Sequence, residues 1–128
     1  MNYVLSKEQR DEIMKEYCDD ATAITIIEDR LNEFNLKIDE EDFYEIVCNV
    51  ACQYESIKAI IRVRLSKKQP PIDMTKINIH DFVENYHSVD QMILYELKNK
   101  YCDTLKYVLS DDSRTKIKSL QYNKKRHF

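Results

Sequence analysis

Residues 39–68, DEEDFYEIVCNVACQYESIKAIIRVRLSKK, decide the fold. Within them Phe43, Val47, Val50, Tyr54, Ile57, Ile61 and Leu65 recur at spacings of 4, 3, 4, 3, 4 and 4, the repeat of one helix face. Asp39 is placed to cap that helix, and Glu40, Glu41 and Asp42 fall in its first turn, where the helix dipole favours negative charge. The spacing predicts one helix from about Asp39 to Lys68, with a break near Glu55-Ser56 as the alternative. Its other side carries Cys48, Cys52, Ala59, Ile60 and Val63, so 15 of the 23 positions from Phe43 to Leu65 are apolar. A helix apolar on most sides must be covered on most sides. It is therefore expected at the centre, wrapped by the other helices or shared with a second copy in a homodimer.

The flanking sequence reads as more helix. Ser6 with Gln9 has the form of a capping box and opens a helix to about Cys18 carrying Ile13, Met14 and Tyr17. Asp19 or Asp20 caps the next, whose stripe is Ile24, Ile27, Leu31 and Phe34. Asn35 is expected to close it in the left-handed conformation. Beyond the adjacent Pro70 and Pro71, which divide the chain into two helical halves, Ile72, Met74 and Ile77 form an irregular crossing. A short helix from Ile79 to Tyr86 is expected to bury Phe82, Val83 and Tyr86. Ser88 with Gln91 opens a long helix to about Leu109 with Leu94, Leu97, Tyr101, Leu105 and Val108 on one side. A last short helix starts at Ser110 to Asp112 and carries Ile117 and Leu120, and a basic tail begins at about residue 122. The expected fold is an all-α, single-domain helical bundle over residues 1–128, with five or six helices around a long central one.

Composition narrows the function. The 128 residues include no glycine, against about nine at average usage. Phosphate-cradling loops, dinucleotide fingerprints and nucleophile elbows need glycine where the backbone takes positive φ or closely approaches a ligand. With three histidines besides, little is available to build a nucleophilic site with its oxyanion hole. No enzymatic activity and no cofactor are expected. The N-terminal segment lacks a basic stretch followed by a long apolar run, and no apolar run spans a bilayer, so a cytoplasmic protein without membrane contact is expected. Cys18, Cys48, Cys52 and Cys102 read as reduced, buried thiols.

Charge is segregated. The net charge is −3, but residues 1–55 hold 5 basic and 15 acidic side chains, residues 56–68 hold 5 basic and none acidic, and residues 113–128 hold 6 basic and none acidic. The acidic helix starts, Asp19, Asp20, Asp39, Glu40, Glu41 and Asp42, with Tyr44 beside them, are candidate contacts for another protein with a basic groove. Their other reading is capping and solubility. The cations Lys58, Arg62, Arg64, Lys67 and Lys68, with Lys124, Lys125 and Arg126 of the tail, are candidate nucleic-acid contacts. Residues 8–36 make a poor DNA-recognition unit, since Arg30 stands among Glu28, Asp29 and Glu33 and meets no phosphate favourably. Tyr3, Tyr44 and Tyr95 lie off the main stripes and are candidate partner contacts, whereas Tyr54, Tyr86 and Tyr101 belong to the core rim.

Metal chemistry finds no support in spacing. Cys48-x-x-x-Cys52 with His80 and His87 matches no structural zinc pattern, Glu84-x-x-His87 occurs once where di-iron bundles need it twice, and His80-Asp81 has no histidine upstream. The reading that survives is a small acidic helical protein that binds another macromolecule. An inhibitor or adaptor of the kind encoded by phages or viruses fits best, and a nucleic-acid-binding transcriptional regulator is the alternative.

Overall fold

Polar side chains begin the helices, as the sequence implies. A computed structural model describes residues 2–116 and 118. Ser6 caps α1 (Lys7–Glu16) in a full capping box with Gln9. Asp20 caps α2 (Ala21–Glu33) by accepting the Ala23 amide, and Asp39 caps α3 (Glu40–Ser66) by accepting that of Asp42. Asn78 caps α4 (Ile79–Tyr86) and Ser88 caps α5 (Val89–Tyr101). A 3-10 turn leads from α5 into α6 (Leu105–Val108), and residues 111–116 are helical again. No strand occurs among the described residues, and no helix there is long and apolar enough to cross a membrane. Asn35 takes φ of 50° after α2, the left-handed closure that a chain without glycine must assign to Asn or Asp.

The bundle is built on α3, about 40 Å long at 1.5 Å per residue, unbroken at Glu55-Ser56. Helices α1, α2, α4 and α5 all pack against it. Ile24, Ile27, Leu31 and Phe34 of α2 meet Phe43, Ile46, Val47, Val50 and Tyr54 of α3 and Val89, Met92, Ile93 and Leu97 of α5 in one core. Leu5 and Tyr3 extend it at the N-terminus, where the Tyr3 ring stacks on Phe43 at 4.8 Å and its hydroxyl donates to the Ile38 carbonyl. Tyr3 is thus a core residue, and not the partner contact expected.

Cys52 and Cys102 are exposed where buried thiols were expected, and three further expectations about burial and helix length fail. The first concerns α5, which stops at Tyr101 instead of reaching Leu109. Asp103 and Thr104 are weak helix formers, and the Thr104 hydroxyl donates back to the Tyr101 carbonyl. The turn redirects the chain so that Leu109 is buried and the Val108 carbonyl accepts the Lys37 amide at 2.9 Å. The second is α4, which buries Val83 and leaves Phe82 and Tyr86 exposed. An eight-residue helix packed mainly on α3 has only one inward side. The third is α3 itself. Its N-terminal half is covered on several sides, but Ala59, Ile60 and Val63 face solvent. Ile117, Leu120 and the tail from residue 122 lie outside the described residues.

Candidate functional site

The acidic helix starts do not form one surface. Asp20 lies against Lys58 of α3, 18 residues beyond Glu40, which is about 27 Å along the helix axis. Several of these carboxylates also serve the fold. Asp20 caps α2 and faces Lys58 Nζ at 3.6 Å and His80 Nε2 at 3.5 Å. Asp42 accepts the Tyr101 hydroxyl at 3.0 Å and pairs with Lys100 at 3.4 Å. Asp39 caps α3, while Asp19, Glu40 and Glu41 face water. Tyr44 is half-buried against the core with its hydroxyl inside, which leaves it little to offer a partner. Tyr95 is exposed, as expected.

The cations divide differently from the sequence expectation. Lys58 is no nucleic-acid contact: it is 2% exposed, and its ammonium lies 2.8 Å from Glu55, 3.6 Å from Asp20 and 3.8 Å from Asp19. Burial pulls its pKa down, but the Glu55 hydrogen bond and the surrounding charges outweigh that and hold it above the ordinary lysine value. The same junction contains Cys18, whose thiol burial pushes up to about 11, and a hydrogen bond joining the Tyr54 hydroxyl to His80 Nδ1. It ties α2, α3 and α4 together. Lys116 is also structural, pairing with Glu33 and Asp90 and lying over the Phe34 ring at 4.4 Å.

Arg62, Arg64, Lys67 and Lys68 are exposed and take part in no ion pair among the described residues. Lys124, Lys125 and Arg126 lie outside those residues. Between Arg62 and Arg64 stands Val63, 53% exposed, with Ile60 at 42%. At about 100° per residue, Cys52, Ser56, Ala59, Ile60, Val63 and Lys67 fall on one exposed face of α3. Arg64 reaches over the Tyr86 ring at 5.3 Å, so the exposed Tyr86 of α4 borders the Arg64 side of α3, and Phe82, one turn back on α4, is exposed as well. At its other end the face runs into a groove of about 550 Å³ between α3 and α5, lined by Cys52, Gln53, Ser56, Ile57, His87 and Glu96. The Gln53 amide donates to Glu96 there at 2.5 Å.

Chemistry finds no comparable assembly. Cys48 is buried and Cys52 exposed, His80 is engaged with Tyr54 and Asp20, and no group of three metal-ligating side chains is in place among the described residues. Burial raises the Cys48 thiol as it does that of Cys18, and a protonated thiol is a poor nucleophile. Cys52 and Cys102 are exposed, so two of the four thiols are expected to react promptly with a disulfide reagent at pH 8, and Cys18 and Cys48 only on unfolding. Four equally fast thiols would show that the native protein leaves its core open.

The exposed face was missed in the sequence because an apolar helical position was equated with a buried one. The signal lay in the order Ile61-Arg62-Val63-Arg64-Leu65, where cations bracket Val63 on both sides. No protein-family model, curated protein or solved structure matches the chain.

Proposed function

We propose that this protein works by binding another protein, as an inhibitor or adaptor, through the C-terminal half of α3 and the adjoining face of α4. The observation that carries this reading is the set of exposed apolar side chains Ala59, Ile60 and Val63 in the C-terminal half of α3, with Phe82 and Tyr86 exposed on the adjoining α4. Scattered exposed apolar residues need no explanation, but a contiguous set rimmed by polar groups is the signature of an interface. Tyr and Arg are the side chains that dominate interface energetics, and here they already stack on one another. The acidic helix starts support the reading less, because Asp20 and Asp39 cap helices and Asp19, Asp20 and Asp42 pair with lysines. A phage- or virus-encoded origin fits the small size, the charge and the composition, with Lys well in excess of Arg.

The test is photo-cross-linking in extract of the native host from a benzophenone side chain introduced at position 63 or, for comparison, at position 40. A protein adduct is expected from 63 alone and is expected to disappear in the Ile60→Ser, Val63→Ser double variant. Serine matches Ile and Val in helix propensity, so stability should change by about 1 kcal/mol or less. Equal adducts from both positions, or none, would defeat the proposal. The second reading, nucleic-acid binding, is favoured by one observation: the four exposed cations of 62–68 have no acidic partner among the described residues. It predicts salt-sensitive retardation of duplex DNA, which the first reading does not.

A further inference from the structure

We infer that the occupant of the α3 face is an amphipathic helix whose apolar row is bordered by carboxylates. The inference rests on the protein-binding reading and adds the partner's chemistry. The open row from Cys52 to Lys67 covers 16 residues, a rise of about 22 Å, along α3 without a break. A strand would need free backbone groups to pair with, and a helix offers none. A second helix laid along Ala59, Ile60 and Val63 buries its own apolar row in the same way that α2 and α5 do on the other sides.

Charge selects among such helices. Measured around α3 from Val63, Arg62 lies about 100° to one side and Arg64 about 100° to the other, with Lys67 one turn further on. A partner seated on Val63 therefore has guanidinium groups along both flanks, and no carboxylate occurs anywhere from residue 56 to residue 72. Carboxylates at those flanks form charge-assisted, bidentate contacts with arginine, and lysines there meet like charge. The same argument disfavours a second copy in parallel pairing, where the two-fold sets Arg62 and Arg64 against their own duplicates. It also disfavours nucleic acid, because phosphates gain nothing from the desolvated centre of Ala59, Ile60 and Val63.

The experiment is selection from a displayed library of helical peptides about 15 residues long, with Leu, Ile or Phe on one row and Glu, Lys or Ser varied along both flanks. Glu is expected to be enriched on both flanks against the wild-type protein. The Arg62→Glu, Arg64→Glu double variant should weaken the selected peptides by about tenfold or more, two charge pairs' worth, and should enrich Lys in a fresh selection. Apolar peptides enriched with Ser or Lys flanks overturn the inference and leave the protein-binding reading standing. No enrichment over the Ile60→Ser, Val63→Ser variant overturns both. A dimer seen by light scattering that this serine variant dissolves, or a duplex DNA complex that the arginine reversal abolishes, overturns the inference in favour of those occupants.

Discussion

Lys58→Ala is expected to lower stability by about 3 kcal/mol, read as a shift of the urea midpoint at unchanged slope. The expectation follows from where the ammonium sits. Removing one member of a buried ion pair leaves the others desolvated and unpaired, at a cost of about 3–5 kcal/mol. Here the lower end applies, because Glu55 and Asp19 retain access to water while Asp20 is mostly covered. The buried stem adds to the loss, since the side chain is 2% exposed. Lys58→Met keeps that stem and separates the two contributions, and it should recover about a third of the effect or more. A loss below about 1 kcal/mol in Lys58→Ala would mean that the junction is solvated and that Lys58 is held there by geometry alone. By contrast, the serine substitutions at Ile60 and Val63, on the same helix, should scarcely register in stability.

Alkali is the second strong lever. The Cys18 thiol is held up to about 11 from an ordinary 9.0 by burial, and Tyr54 and Lys58 beside it are raised as well, Tyr54 by burial and Lys58 by Glu55 against the pull of burial. A group whose folded value is raised stabilises the fold below its unfolded value and loses that contribution as pH rises toward the folded one. In terms of protons, above pH 9 the unfolded chain gives up the Cys18 proton while the native chain keeps it, so stability falls. At 1.36 kcal/mol per unit, Cys18 alone removes about 2–3 kcal/mol by pH 11, and Tyr54 and Lys58 add to the fall above about pH 10. Unfolding free energy should therefore be flat near pH 8 and decline steeply beyond 9. Cys18→Ala should make the portion between pH 9 and 10 shallower, leaving the share of Cys48, whose thiol burial also raises, and should leave the later decline. Coincident pH profiles for the two proteins would remove Cys18 from the account.

Both results depend on a junction that no single segment announces. Cys18 with Asp20, Tyr54 with Glu55 and Lys58, and His80 come from three separate stretches of chain. Lys58 reads as a solvated cation because the next acidic residue along its own helix is Glu55, and the two carboxylates that complete its surroundings arrive from the start of α2. Its exposure is a tertiary fact. So is that of Val63, which shares the apolar character of Ile61 and Leu65 and differs from them only in having no neighbour helix on its side.

Local physics decided the rest without help from packing. Side-chain oxygens of Ser6, Asp20, Asp39 and Ser88 satisfy amides within three residues of themselves, and Asn35 turns left-handed because no glycine is available to do so. Those are short-range effects, as is the 3.6-residue repeat that made α3 a single helix, so they are written in adjacent residues. Which side of an all-round apolar helix stays open was settled only when α2, α4 and α5 had taken their places. Burial is a property of what lies across from a residue, and a sequence carries the residue without the thing across from it.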